Sequence, residues 1–337
     1  VKVPKVTTGF ESETRDMYRA LVKDPSHYNP SWRLLLKTLQ KPVVVFLLAN
    51  TACLLWGSAF PSIKIGYTLF QVTSVSSRIL FAGIRFFLAG LVTLCYAAFR
   101  FKKWPIPDQT LWKPMMALGL VQTFGQYFFS YIGLAHTPGA VASIINGTSS
   151  FMILVIAHFL LKDELLTPLK ILGCVIGTAG IVVLQLGADT SEALHFFGEA
   201  MLLLSTFFGA LGTVLVRPLS HRTHPFILTG SQLSFGGFLL MVVGMSRGGT
   251  WTPTGLGAYA ILFYLVFLSL AAFNIWTLLL KENPVSRIGV YNLTIPIYGT
   301  VLSGIFLKET FWEFRTLAAL ILVSFGVWVV QDSSKKH

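Results

Sequence analysis

Ten mostly apolar stretches follow one another along the chain, at about 43–68, 77–99, 112–133, 138–161, 168–187, 197–217, 225–246, 257–280, 285–307 and 313–331. Crossing some 30 Å of hydrocarbon takes about 20 helical residues, so each stretch predicts a membrane span. The polar links are short, which predicts antiparallel neighbours. The least hydrophobic link, Gly187 to His195, divides the chain into halves. Residues 1–42 are polar, with Pro4, Pro25, Pro30 and eight Lys or Arg. The end of this segment, Trp32 to Lys37, either lies along the membrane surface or continues a solvated basic tail.

The polar positions repeat. Thr137–Thr148, which runs through an apolar stretch to Lys162-Asp163-Glu164, returns about 146 positions later as Asn283–Thr294, running to Lys308-Glu309-Thr310. Pro138 falls on Pro284, Asn146 on Asn292, Thr148 on Thr294, Lys162 on Lys308, and further on Gly180 on Gly326 and Gln185 on Gln331. Polar residues are scarce here, so their agreement in register outweighs the modest overall identity. A repeat of this kind in a membrane chain points to a transporter with its site at the repeat interface.

Composition sharpens the class. The chain is 54% hydrophobic and 12% charged, with a mean hydropathy of +0.68; soluble domains run at roughly 45–50% and about 25%. Cys53, Cys95 and Cys174 lie inside apolar stretches and suggest neither a disulfide framework nor a metal cluster. The net charge of +12 does not imply nucleic acid, because the cations sit between apolar runs. With the N-terminus inside, twenty Lys or Arg face the cytoplasm and four (Arg78, Arg247, Lys308, Arg315) the exterior, with Lys64 and Arg85 inside spans. Both termini are therefore expected in the cytoplasm of a multi-pass cell-membrane protein, the inner membrane in a Gram-negative cell. Five spans per half is odd, so the second half must be inverted. The predicted fold is an all-α integral membrane protein of ten transmembrane helices in two inverted five-helix repeats. It divides into a basic cytoplasmic tail (1–42), a first repeat (43–187), a connecting loop (188–195), a second repeat (196–331) and a short cytoplasmic tail (332–337).

Three motifs carry a family resemblance: Leu55-Trp56-Gly57-Ser58-Ala59-Phe60-Pro61-Ser62-Ile63-Lys64 in span one, Ala82-Gly83-Ile84-Arg85-Phe86-Phe87-Leu88-Ala89 in span two, and the Lys162-Asp163-Glu164 turn with its echo at Lys308-Glu309. In this order, with this helix count, the chain resembles the EamA-type ten-helix branch of the drug/metabolite transporter superfamily over about 43–331. The resemblance implies export or exchange of small metabolites, often amino acids, by alternating access.

Lys64 and Arg85 are the first candidates for substrate contact. A charge inside a span costs about 2.5–3.5 kcal/mol even on the lenient insertion scale, so it is a functional hypothesis by default. All fourteen Asp and Glu lie in tails, loops or helix ends, Glu199 being the most membrane-proximal. Two cations without counter-charges would attract a carboxylate or phosphate. The alternatives are snorkelling of Lys64 and a structural fork for Arg85. Because a proton-coupled cation exporter usually wants an intramembrane carboxylate, an anion, zwitterion or neutral solute fits better. His158, alone on an apolar helix, reads as structural.

Polar stripes mark the faces expected to line a central cavity. Ser143, Asn146 and Ser150 share one face of span four, with Thr148 close by. Gly289, Asn292, Pro296, Gly299 and Ser303 line span nine, where Pro296 removes a donor and is expected to free the Asn292 carbonyl. Gln122 and Gln126 share a face of span three, and Asn274 sits within span eight. Interhelical hydrogen bonding is the plainer explanation of each one taken singly. Trp56, Phe60, Tyr127, Phe128, Tyr131, Trp276, Tyr291 and Tyr298 offer an aromatic lining for an apolar side chain, or belong to lipid-facing packing. Of these, Trp56, Tyr127, Trp276 and Tyr291 join the predicted substrate-binding set. Spans five and ten, with few polar residues, read as scaffold or a homodimer face.

The expected function is secondary transport of a small metabolite, an amino acid or organic anion by preference, with a small molecule and the lipid bilayer as partners and no cofactor. A sugar-phosphate or nucleotide-sugar exchanger is the second reading within transport, and would call for more basic residues in the spans. A membrane-embedded enzyme would need an acid–base pair, a zinc spacing or an activated nucleophile, and the spans contain none of these. A passive channel would conduct without saturation.

Overall fold

The computed structural model describes residues 37–102, 109–137, 142, 145–161, 163–185, 196–307 and 314–333. The sequence assignments for residues 1–36, the link before His195, Pro138, Ser143, Lys162 and Lys308-Glu309 lie outside them. All regular structure among the described residues is helical: α1 (Pro42–Leu69), α2 (Val75–Phe101), α3 (Gln109–Leu118), a π-helical turn (Gly119–Gly125), α4 (Gln126–Ala135), α5 (Ser149–Leu160), α6 (Pro168–Gln185), α7 (Phe196–Arg222), α8 (Pro225–Ser246), α9 (Leu256–Glu282), α10 (Val285–Gly289), a 3-10 turn (Val290–Thr294), α11 (Ile295–Leu307) and α12 (Phe314–Ser333). Among the described residues six helical segments are long and apolar enough to cross a membrane: α1, α2, α7, α8, α9 and the joined Val285–Leu307. Large apolar side chains such as Phe99, Phe159 and Leu256 stand exposed on the outer surface, as lipid-facing groups do. This is a multi-pass membrane protein.

Local chemistry sets several boundaries. Pro42 and Pro225 open α1 and α8 at the first helical position, where a missing N–H costs nothing. The Ser74 hydroxyl accepts the Ser77 amide at 3.1 Å and caps α2, which ends where Lys102 turns left-handed at φ 53°.

Among the described residues three runs expected to be continuous helices are interrupted, the fourth by a turn at Thr148 just before α5. The third is broken between α3 and α4 by the π turn, whose flanking Gly119 and Gly125 press on α8 and α7. The ninth is broken by the 3-10 turn just before Pro296. That proline cannot donate to Asn292, so the turn tightens and the Ile295 amide takes the Asn292 carbonyl instead. The expectation of a freed Asn292 carbonyl is corrected accordingly.

The helices pack in a pattern that survives exchange of the two halves. α1 packs on α9 and α11, while α7 packs on the α3–α4 run and on α5; α2 packs on α8, and α6 on α12. Starting residues keep the repeat spacing, as with Pro168 of α6 and Phe314 of α12. Glycines bring two of these pairs to backbone contact, as is usual between membrane helices. A Cβ on Gly90 would lie 2.3 Å from the Ser234 amide nitrogen, and one on Gly237 2.4 Å from that of Phe87. Gly173 and Gly326 meet similarly between α6 and α12. The small-residue face of α6 is thus occupied within the chain, and a homodimer through α6 and α12 would have to use their outward side, where Leu172, Val175, Ile321 and Trp328 are exposed.

Backbone atoms cannot retreat as side chains do, so Gly90→Ala is expected to cost about 1–3 kcal/mol, and Gly90→Leu to abolish the monodisperse peak of detergent-solubilised protein. Gly257→Ala, with its nearest neighbour at 3.8 Å, is the control expected to leave thermal unfolding unchanged.

Candidate functional site

Arg85 projects from α2 into the contact with α9 and is 2% exposed. Its Nε donates to Ser269 Oγ at 2.7 Å; that hydroxyl donates its own proton to the Leu265 carbonyl at 2.8 Å. The guanidinium carbon lies 4.9 Å from the centre of the Phe86 ring. Among the described residues no carboxylate pairs with Arg85; its electrostatic neighbours are the phenols of Tyr67, Tyr127 and Tyr131. A neutral hydroxyl and aromatic rings leave a buried cation undercompensated.

An aromatic run extends from this point. Phe86 lies 4.3 Å from Tyr127 and 6.2 Å from Phe273, Phe273 5.5 Å from Trp56, and Trp56 5.0 Å from Trp276 (centroid distances). The Trp56 Nε1 is buried without a partner. Further along the same helix pair, Asn274 donates to Thr93 Oγ1 at 3.3 Å and to the Leu270 carbonyl at 2.7 Å, leaving its Oδ1 buried and unpaired. Five predicted residues, Trp56, Arg85, Tyr127, Asn274 and Trp276, therefore line one region between α1, α2, α4 and α9. Lys64, by contrast, is exposed on α1.

Gln122 and Gln126 do share a face, and it is pressed on α7: Gln122 packs on Gly212 and Gln126 on Gly209. The Gln122 Oε1 is buried without a partner. The π turn holds Gln122, and such turns frequently mark functional positions. Nothing in the sequence pattern separated it from an ordinary helix.

The repeated stretches meet each other. Ser150 Oγ donates to the Gly289 carbonyl at 3.0 Å, and Thr206 Oγ1 to Asn146 Oδ1 at 3.4 Å. Thr148 turns back on the Ile145 carbonyl at 2.6 Å. On the other side, the Tyr291 carbonyl accepts from Cys53 Sγ at 3.3 Å and from Thr294 Oγ1 at 2.8 Å, while Asn292 Oδ1 is buried and unpaired. Tyr291 and Tyr298 border a cavity of about 270 Å³ between α1, α11 and α12, where the Tyr298 hydroxyl donates to Asn50 at 2.8 Å.

A cluster that the sequence marked only as a family-like turn proves to be a cross-link. Glu164, 3% exposed, accepts the amides of Val285 and Ser286 (3.3 Å for the latter) and the Ser286 hydroxyl at 2.6 Å, capping α10 across 121 positions. The positive end of a helix favours such a carboxylate. Lys170 Nζ donates to Ser286 Oγ at 3.0 Å and to the Leu165 carbonyl at 2.9 Å, and sits 3.7 Å from Glu164. From α7, Arg217 reaches Asp163 at 2.7 Å and Glu164 at 3.6 Å, the latter a Coulombic contact without a hydrogen bond. His158 lies 3.0 Å from the Glu164 carbonyl through Nδ1 and so braces the turn, the structural role expected of it. On the same side, burial, with Lys281 and Arg100 nearby, pushes the His224 imidazole down to about 4, so it is neutral at neutral pH and adds no charge to this face.

The described residues thus form a helical multi-pass protein with an arginine buried among aromatic rings and no described carboxylate beside it. The chain belongs to the EamA-like transporter family, whose sequence profile matches residues 44–186 and again 196–331. It is 26% identical over 307 residues to the uncharacterized transporter YvbV of Bacillus subtilis, covering 89% of this chain and 95% of that protein. A WAT1-related chloroplastic protein of Arabidopsis thaliana is 24% identical over 287 residues, 80% of this chain and 67% of that one. A protein of Salmonella typhimurium described as a probable amino-acid metabolite efflux pump is 22% identical over 293 residues, 84% and 93% of the two chains. A solved crystal structure shares the fold with a TM-score of 0.71 at 20% identity, over 86% of this chain and 98% of that one.

Proposed function

We propose that this chain is a secondary transporter that moves a small carboxylate-bearing metabolite, an amino acid or small organic anion, by alternating access, as an exporter or exchanger. The observation that carries this is Arg85: a cation so deeply buried, with no described carboxylate to balance it, is balanced by the cargo. The aromatic run from Phe86 to Trp276 would receive the apolar part of the same solute. The description of one relative as a probable amino-acid metabolite efflux pump agrees with that chemistry.

The architecture proposed is ten spans in two inverted five-helix halves, 43–187 and 196–331, with both termini in the cytoplasm. Its supports are the double profile match, the packing pattern that survives exchange of the halves and the charge bias. One half would rock against the other around the site. The Glu164 cross-link would then latch the cytoplasmic mouth, joining the first half to α7 and α10 of the second. In repeat register, Arg217 falls on Gln71, Glu164 on Thr310, Lys170 on Thr316 and Ser286 on Ala140. Of the cluster's charges only Asp163 recurs, as Glu309, so the outer mouth would hold a weaker latch and the state closed to the cytoplasm is the resting one.

The test is uptake by purified proteoliposomes from separate labelled pools of amino acids, organic acids and sugar phosphates, with and without unlabelled solute inside. Saturable amino-acid or organic-acid uptake, accelerated by internal solute, is expected. Uptake confined to phosphate esters, or linear uptake without saturation, would sink the proposal.

A further inference from the structure

The structure assigns a second anion station to Arg78, outside the one at Arg85; the assignment rests on the transport reading above. Arg78 occupies the first turn of α2, where the helix dipole disfavours a cation and no acidic residue offsets it. Its guanidinium carbon stands 5.3 Å from the centre of the Tyr67 ring, and its Nε is buried without an acceptor. No carboxylate among the described residues pairs with it. Arg85 comes seven residues later, about 10.5 Å along the axis and within about 20° of the same face. The two cations are bridged by phenols: Tyr67 and Tyr131 are electrostatic neighbours of each other and of both arginines.

This arrangement suits stepwise passage of a single carboxylate. At the outer step the anion pairs with Arg78 on the face of Tyr67, whose ring holds the guanidinium by cation–π attraction. At the inner step it pairs with Arg85, while the Tyr67 and Tyr131 hydroxyls donate to it on the way. Phenols suit the bridge because they solvate a passing anion without holding a charge of their own. Arg78 thus sets how readily the outer mouth captures or releases cargo, whereas Arg85 sets whether cargo binds at all.

Uptake of a labelled neutral amino-acid mixture, in proteoliposomes sorted so that the outer mouth faces the medium, separates these roles. Arg78→Gln is expected to raise KM about tenfold, the loss of one charge-assisted contact, with the maximal rate within about twofold. Arg78→Lys should restore most of the affinity, and Tyr67→Phe, which keeps the ring but removes the hydroxyl, should raise KM less. An unchanged KM in Arg78→Gln beside an inactive Arg85→Gln overturns the outer station and leaves the transport reading intact. Unchanged uptake in both, or none by the wild type, overturns both. Should Arg78→Gln fail to fold, Arg78→Lys and Tyr67→Phe carry the comparison, and wild-type KM in both overturns the station.

Discussion

Arg85→Gln is expected to abolish saturable uptake while leaving the protein at least as heat-stable as the wild type. The two halves of that result come from one fact. A buried guanidinium bonded, among the described residues, only to the Ser269 hydroxyl carries a desolvation penalty that no described anion returns. Glutamine still donates to Ser269 and removes the charge, so thermal unfolding should be unchanged or shifted upward. The cargo, however, loses a hydrogen bond to a charged group, a contribution of about 1.5–3 kcal/mol, and its affinity should fall by up to about 150-fold, so that uptake no longer saturates over the concentrations used. A structural fork would behave in the opposite way. If Arg85→Gln unfolds several degrees earlier and keeps the uptake of its surviving fraction, Arg85 holds α2 to α9 and contacts no substrate.

Glu164→Gln is expected to open the cytoplasmic mouth. The side chain accepts two amides and a hydroxyl and faces two cations. Neutralising it leaves Lys170 with no described carboxylate and Arg217 with Asp163, and breaking a buried pair costs about 3–5 kcal/mol. Asp163 is 56% exposed at its side chain, so Asp163→Asn, which weakens a surface pair worth about 0–1 kcal/mol, should have a much smaller effect in the same direction. Spin labels at Leu165 and Arg222 would read the mouth by pulsed electron resonance. A single short distance in the wild type, and an added longer population in Glu164→Gln that is minor in Asp163→Asn, is the expected outcome. A distribution unchanged in a folded Glu164→Gln protein would make the cluster a static brace.

The sequence resolved the helices better than their faces. Every described helix falls on an apolar run, and Arg85, Trp56, Tyr127, Asn274 and Trp276 could be named from residue type and depth alone. Gln122 and Gln126 were correctly paired on one face, but their packing on α7 depends on Gly209 and Gly212, more than eighty positions away. Helices that are apolar all round carry little information about which side turns inward, because lipid and protein interior reward the same side chains. Lys64 and Arg85 looked alike as charges within spans; one proved exposed and the other buried.

By itself, then, the sequence determined the membrane class, the helix order and the internal repeat. These follow from local quantities: the length of apolar runs against the thickness of a bilayer, and residue identities at a constant spacing. The tertiary structure alone decided which charge lost its water, that Pro296 tightened the preceding turn so that the Asn292 carbonyl stayed bonded, and that Glu164 caps a helix from the other half. Those outcomes depend on which helices meet, and a chain whose spans are all similarly apolar does not state its partners along its length.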